Sequence, residues 1–382
     1  MDFALGEDQQ AIKGLAAQIF SDRVTDDYLA KYYAGNSVYD QQLWMLLADQ
    51  GLLGIAIPEV YGGSGMGFAE LCLLLQEQGR SLAPVPLLSN LVLGALPIAR
   101  FGSEAQQKEW LGSVCNGKLQ LTAALAEIAM NEAVAGAVTA HQTDAGWLLD
   151  GRLEAVPYAA EAACILVPAS EPDGASSIFL VDTDAVGVNI IPQCTSLGAV
   201  QASLILENVA VSKQQVLGER GQGKAISRWI EQHANAALSG MQVGTTDEAL
   251  RRTAAFTGER KQFGMPIGSF QAVAMRAADA YINVENMRST FWQAMWRLHS
   301  GLEAEAEVRA AKYWACVGGH QVVYTTQHLH GGLGVDITYP IHRYFLFAKQ
   351  TEFMLGGRTT QLTRMGQYLA ANDDSGPRWM IE

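Results

Sequence analysis

The hydrophobic pattern changes period twice along the chain. In "EDQQAIKGLAAQIFSD" (7–22) and "FAELCLLLQEQGRSL" (68–82), apolar residues recur every three or four positions, which is the spacing of one helix face. A helical reading holds from Asp8 to about Ser113, interrupted by the Pro- and Gly-dense loop "IPEVYGGSGMG" (57–67). The middle differs. "GWLLDG" (146–151), "ACILVPAS" (163–170), "SSIFLVDT" (176–183), "VNIIPQC" (188–194) and "ASLILENVAV" (202–211) are short apolar runs bounded by turn residues. They predict a small β domain rather than βαβ units. From about Gly223 to Leu369 the helical period returns, and "NDDSGPRWMIE" at the end reads as a loose tail. The pattern therefore predicts an α+β chain, mostly α, with boundaries at 1–118, 119–220 and 221–382.

Length agrees, since 382 residues exceed a single core and suggest two or three domains. Lys+Arg 26 against Asp+Glu 39 gives a net charge of −13 with no basic stripe, which argues against nucleic acid. Five cysteines at wide spacing contain no CxxC, so neither a disulfide framework nor a zinc site is expected. No signal peptide and no apolar run of spanning length is visible, and the reading is a cytoplasmic protein off the membrane.

Several motifs carry candidate chemistry. "GERGQGKA" (218–225) starts like a phosphate loop, but Ala225 stands where a magnesium-binding hydroxyl belongs, so a glycine turn before a helix is preferred. His328 and His330 are two apart, on different helix faces, and predict no metal site. In "ERKQFGMPIGSFQAV" (259–273) a helix ends, a Phe-Gly-x-Pro turn follows and a helix restarts near Ser269 or Phe270. Arg260 there could hold a pyrophosphate and Phe263 could offer a ring face, although a plain helix corner would read the same. "HLHGGLGVDITYPIHRYF" (328–345) has glycines at 331, 332 and 334, which allow a ligand, or a tight turn, close to the backbone. Gly356 and Gly357, in "MLGGRTTQLTRMG" (354–366), interrupt a helical segment at a cost of about 1 kcal/mol each.

These segments, with "GLLGIAIPEVYGG" and "TTQLTRMG", resemble the acyl-CoA dehydrogenase family over essentially the whole chain and in the same order. The resemblance implies an N-terminal helical domain, a middle β domain and a C-terminal four-helix bundle, with FAD as cofactor. In that family a glutamate removes the α proton of an acyl-CoA while the flavin takes the β hydrogen as hydride. Residue by residue, it assigns Arg260 and Phe263 to the pyrophosphate and adenine end of FAD, with Phe270 and Gln271 beside them. Gly331 and Gly332 match the glycines under the ADP portion, Thr359 and Gln361 match the Thr-x-Gln near the flavin, and His328 stands where Gln is usual.

The departures are as informative. The base positions of the family fall at Gly357 (or Gly356) and at Ala234, and neither is acidic; Glu231 and Glu352 are the nearest carboxylates. "TAALAEIAMNEA" (122–133) replaces the family's flavin-cradling loop, "LEAVPYAAEAA" (153–163) replaces its Trp-x-Thr, and Val200 and Gln201 replace a Thr-Arg pair. In this family FAD lies across a subunit interface, and this chain keeps the ADP-side set while lacking the flavin-side set. The resemblance therefore implies a non-catalytic subunit of an α2β2 heteromer with a homologous catalytic partner. The likeness is greatest to dehydrogenases of steroid side-chain CoA thioesters, with an electron-transfer flavoprotein among the acceptors it allows. Two other readings stay open: a self-sufficient homo-oligomer using Glu231 or Glu352, and a structural paralogue without FAD.

Overall fold

The computed structural model describes residues 4–35, 37–125, 137–195, 198 and 200–372. It divides into two compact units, one of Met1–Gly35, Cys72–Ala83 and Asn235–Glu382, the other of Asn36–Leu71 and Pro84–Ala234. The helices are α1 (Glu7–Arg23), α2 (Asp26–Ala34), α3 (Gln41–Asp49), α4 (Phe68–Ser81), α5 (Leu96–Phe101), α6 (Glu104–Cys115), α7 (Gly223–Glu259), α8 (Gln271–His299), α9 (Glu305–Leu329), α10 (Ile341–Phe353) and α11 (Arg358–Ala371). Local sequence explains several of the starts. Asp40 accepts from the backbone N–H groups of Gln42 and Leu43 at the head of α3, and Ser103 with Gln106 forms a capping box on α6.

The β-containing unit is built on a sheet of order β6-β7-β3-β2-β4-β5-β8, with β1 added in parallel to β4. Its strands are β1 (Leu121–Ala123), β2 (Val138–Gln142), β3 (Gly146–Pro157), β4 (Cys164–Ser170), β5 (Ser176–Asp182), β6 (Val188–Gln193), β7 (Gln201–Ser212) and β8 (Val216–Leu217). Trp147, Phe179, Leu149 and Ile165 anchor its core. The five predicted runs are strands β3 to β7; β1 and β2, both very short, carry too little pattern to be read. A π-helix, Leu88–Ala95, is the other surprise, and all eight of its residues are buried. Buried on every side, Ser89 and Asn90 included, it has no solvent face to give it an amphipathic pattern. Its Asn90 accepts from the Leu121 N–H at 2.8 Å and ties it to β1.

The phosphate-loop-like stretch has a structural role. Gly218 (φ +71) and Gly221 (φ +89) turn the chain into α7, and a Cβ on Gly223 would lie 2.6 Å from Ser176. Arg220 donates to the buried Glu171 at 2.7 Å and pairs with Asp173. Glu171 also accepts from Trp147 Nε1 at 3.0 Å and Ser177 Oγ at 3.0 Å. The motif latches the β4–β5 hairpin to the helix start, and its arginine is already engaged.

In the helical unit, α7 is gripped by glycine contacts. An added Cβ on Gly79 of α4 would lie 2.2 Å from the Met241 carbonyl oxygen, and one on Gly244 would lie 1.9 Å from that of Gln76. Gly319 of α9 meets the Gln242 side chain in the same way, at 1.9 Å. Ion pairs border this packing. Arg80 reaches Asp247 at 2.6 Å and Glu77 at 3.1 Å, and Arg252 pairs with Asp26 at 2.7 Å and Glu248 at 2.9 Å. α8, α10 and α11 all pack on α9. No helix among the described residues is long and apolar enough to cross a membrane.

Candidate functional site

The Arg260 corner is built by chain geometry. α7 ends at Glu259, and a two-residue hairpin, β9 (Lys261–Gln262) and β10 (Met265–Pro266), turns through Phe263 (φ +53) and Gly264 (φ +81). Two successive left-handed residues make a type I′ turn, which suits Asn-Gly or Gly-Gly better than Phe. Phe263 is therefore strained, and it is also 93% exposed, its ring edge-on to that of Phe270 with centroids 6.1 Å apart. Arg260 is exposed and makes no ion pair with any described residue, while its backbone carbonyl accepts from Ile267 N–H at 2.8 Å. Phe270 caps α8 and Gln271 opens it; helix onset is thus at Gln271, after a 3-10 turn over Ile267–Ser269.

The glycine corner follows α9. Gly331 takes φ +60, and a Cβ on Gly331 or Gly332 would meet nothing within 4 Å, so both lie open. Gly334 is different: its Cβ would lie 2.1 Å from the Gln327 carbonyl oxygen, a need internal to the turn. His328 is exposed. His330 is buried, donates Nδ1–H to the Thr326 carbonyl at 2.7 Å and stacks on Phe256 at 4.3 Å; burial lowers its pKa. The two histidines thus part company, one outward and one fixing the corner from within. Among the described residues no group of His, Cys, Asp and Glu could hold a metal ion.

The turn between α10 and α11 resolves the paired glycines. Leu355 (φ +56) and Gly356 (φ +92) are both left-handed, and a Cβ on Gly356 would press on Thr360 at 2.8 Å. Gly357 is the N-cap of α11 with φ −80, and a Cβ there meets nothing within 4 Å. Of the two, position 357 is the one with room for a side chain. Gln361 is fully buried and donates to the Leu355 and Gly356 carbonyls at 3.1 Å each while accepting from Arg309 at 3.1 Å. Its amide holds this turn, and Thr359 is exposed beside it. Sequence reading missed the buried cations behind the turn. Arg309 pairs with Glu305 at 2.8 Å, and Lys312, fully buried, donates to the Thr351 and Glu352 carbonyls at 2.6 and 3.2 Å.

Neither substitute carboxylate stands free. Glu352 is engaged by Lys349, with His320 Nδ1 at 3.8 Å. Glu231 is half-buried on α7, three residues before Ala234, which is fully buried. Next to Ala234 the structure places His233, another residue passed over in the sequence. Its Nδ1–H donates to the Trp229 carbonyl at 2.8 Å, its ring stacks on Trp229 at 3.8 Å, and Phe68 meets it edge-on at 4.7 Å. Burial pushes it down to about 4, so it is a neutral imidazole at pH 7. The pairing of Trp229 with His233 at i, i+4 is the sequence signal that could have shown it.

At the strand positions that the resemblance assigns to the flavin side, a polar network joins β3, β6 and β7. β3 bulges at Glu154–Ala155 (Ala155 φ +55), where β3 and β7 slip register. Glu154 accepts from Ser203, Arg152 and Gln193; Gln193 bonds Ser203 at 3.1 Å and the Ala155 N–H at 3.2 Å; and Gln201 donates to Gln193 at 3.2 Å. The Ser203 hydroxyl holds the Glu154 carboxyl below its ordinary range. The Val200 carbonyl is taken by Tyr158 N–H at 3.1 Å. In "TAALAEIAMNEA" only 122–125 fall within the described residues; 126–133 lie outside them.

A helical–β–helical chain with an outward Arg–Phe turn and an open glycine pair has the parts of a flavin-dependent dehydrogenase. The chain belongs to the acyl-CoA dehydrogenase family: residues 6–118 match "Acyl-CoA dehydrogenase, N-terminal domain" and 221–370 match "Acyl-CoA dehydrogenase, C-terminal domain". FAD is the cofactor of that family, and the fold is the acyl-CoA dehydrogenase fold. Acyl-CoA dehydrogenase FadE27 of Mycobacterium tuberculosis is 38% identical, covering 97% of this chain and 99% of that protein. A variant of the Tcur3481–Tcur3483 steroid ACAD superposes with TM-score 0.90 at 42% identity, covering 97% and 100% of the two chains. The ChsE4–ChsE5 complex of M. tuberculosis superposes at 0.91 with 38% identity, covering 97% and 99%.

The residues present fit FAD at one end. An Arg260 guanidinium with no ion pair among the described residues, an exposed ring at Phe263 and two open glycines suit a pyrophosphate and adenosine. The Glu154 network offers an isoalloxazine neither a Trp-x-Thr nor a Thr-Arg pair and presents a carboxylate instead.

Proposed function

We infer that this chain is the non-catalytic subunit of a heteromeric acyl-CoA dehydrogenase, lending ADP-side contacts to FAD held by a homologous catalytic partner. The observation that carries this is the outward corner: Arg260 exposed with no ion pair among the described residues, beside a strained Phe263 that is 93% exposed. Bound FAD supplies the hydride acceptor for α,β-dehydrogenation of an acyl-CoA. The division of labour follows from what the chain lacks, since Ala234, Gly356 and Gly357 bear no carboxylate. Arg260 would hold the pyrophosphate, Phe263 the adenine end, with Phe270, Gln271 and His328 around them, and Gly331 and Gly332 would pass the ADP portion close to the backbone. Thr359 lies exposed at the start of α11, and Gln361 acts through the turn it holds. Steroid-side-chain CoA thioesters as substrate class, and the α2β2 arrangement, are supported by the steroid ACAD and the two-protein complex among its relatives. An electron-transfer flavoprotein would suit as acceptor, and a cytoplasmic setting fits the reduced thiols, four of five of which are buried.

Arg260→Ala is expected to strip flavin from the complex with the partner chain. Loss of a charge-assisted contact to pyrophosphate is worth about 2–3 kcal/mol, or roughly 30- to 150-fold in FAD affinity. The measurement is bound FAD per complex by absorbance, with titration for the dissociation constant. Unchanged affinity would contradict the reading and favour the paralogue that binds no FAD.

A further inference from the structure

FAD held at the proposed site must meet two corners distant in sequence, Arg260 just after α7 and Gly331–Gly332 just after α9. The spacing between those corners has to be set from within the chain, and His330 stands at the joint. It is the last residue before Gly331, it is 4% exposed, and its Nδ1–H donates to the Thr326 carbonyl one turn back on α9. With that bond made, the imidazole lies nearly parallel to the half-buried Phe256 ring, 21° from it with centroids 4.3 Å apart. Phe256 belongs to the last turn of α7, and its carbonyl accepts from the Arg260 N–H at 2.9 Å. One stack therefore joins the residue before the glycine pair to the turn that carries the arginine.

A third ring closes the joint. Tyr339, just ahead of α10, is tilted 51° to His330 at 5.3 Å and meets Phe256 edge-on at 6.4 Å. The chain between the glycines and Tyr339 is tied down in short steps. Gln327 donates to the Gly334 carbonyl at 2.7 Å, Asp336 accepts from the Thr338 N–H at 2.8 Å, and the Tyr339 N–H reaches the Asp336 carbonyl at 3.0 Å. Three segments thus converge on one imidazole. Aromatic contacts prefer defined angles and separations, so they fix geometry as well as filling volume.

The residue type is informative. Nε2 of His330 is buried and has no hydrogen-bond partner among the described residues. A phenylalanine would leave no such atom unsatisfied. What the imidazole adds is the bond to Thr326, which holds the ring in one rotation and fixes the face it shows to Phe256.

We propose that His330 is the positioning residue of the ADP site: through its stack on Phe256 it fixes Gly331–Gly332 against Arg260, and so favours a flavin dinucleotide over a mononucleotide. It rests on the proposed function for the identity of the ligand. His330 itself makes no contact with FAD, because one ring nitrogen is bonded to Thr326 and the other is buried.

The test uses the complex co-expressed with the partner chain, stripped of flavin and titrated with FAD and, separately, with FMN. His330→Leu and Phe256→Leu each remove the stack while keeping apolar volume, which spares the fold. Each is expected to raise the FAD dissociation constant roughly tenfold and to leave that of FMN unchanged, because FMN lacks the adenosine end. His330→Phe keeps a ring without the bond that orients it and should fall between, at about threefold. The double variant His330→Leu/Phe256→Leu should match either single one, since both break the same joint. Unchanged FAD affinity in the single variants, while Arg260→Ala strips flavin, would overturn this proposal alone. An equal loss of FMN would overturn it as well, being the mark of general loosening. So would a double variant about a hundredfold weaker than wild type, which would show two independent effects. A wild-type complex that binds no FAD, or an Arg260→Ala complex that binds it normally, would refute the proposed function and this inference with it.

Discussion

Gly244→Ala is expected to destabilise the helical unit by about 3 kcal/mol or more, against the usual direction for such a change. Inside a helix, alanine normally gains about 1 kcal/mol over glycine. Here the added Cβ would lie 1.9 Å from the Gln76 carbonyl oxygen and 2.9 Å from the Arg80 backbone nitrogen. Both obstacles are backbone, so no rotamer change relieves them, and α4 and α7 must separate. Separation also loosens the Arg80–Asp247 and Arg80–Glu77 pairs along the same contact. Gly258, on the same helix, is the control: a Cβ there meets nothing within 4 Å, and Gly258→Ala should be neutral or gain about 0.5–1 kcal/mol. Urea midpoints of the two variants check this, and equal midpoints would refute the packing account.

The second large effect is pH-dependent and belongs to His233. Its folded-state value of about 4 lies below the ordinary 6.5, because burial against Trp229 and Phe68 disfavours the cation. Between those two values the unfolded chain binds more protons than the folded one. This contribution is therefore complete above about pH 6.5 and is lost as pH falls toward 4. The difference of about 2.5 pH units, at about 1.36 kcal/mol each, amounts to roughly 3 kcal/mol. Glu248, held below its ordinary range by Arg251 and Arg252 in spite of its burial, also destabilises on acidification, but only below about pH 4.5. The windows are separable. His233→Phe should flatten the fall in urea midpoint between pH 7 and 5, leaving the smaller slope of His330, whose pKa burial also lowers. An unchanged slope would show that His233 is not the group responsible.

How much of this was legible in the sequence depended on whether a feature was local. Strands β3 to β7 and the onset of α7 at Gly223 follow from alternation and turn residues within a few positions. The Phe263–Gly264 turn was visible as Phe-Gly-x-Pro, although not its left-handed Phe, which only backbone geometry shows. Gln361 reads in sequence as a residue near the flavin; in the fold its amide is spent on the Leu355–Gly356 turn, supported by Arg309 52 positions away. The ion pair of Arg80 with Asp247 spans 167 positions, and no periodicity announces such a partner. The Glu154 network behaves likewise, joining β3, β6 and β7 through side chains that each read as ordinary strand polarity.

The proposed division of the site between two chains also has an electrostatic sense. A guanidinium at Arg260 with no ion pair among the described residues would favour the pyrophosphate of FAD, whereas an ionised Glu154 on the strand face would oppose the negative charge that an isoalloxazine gains on reduction. A chain carrying both features suits a neighbour's cofactor better than its own. The most direct measurement of that claim is FAD bound per chain, for this protein alone and for the complex with its homologous partner. The account predicts a colourless protein alone and about one FAD per heterodimer when paired. One FAD per chain in the isolated protein, with dehydrogenase activity, would contradict it and return the base to Glu231.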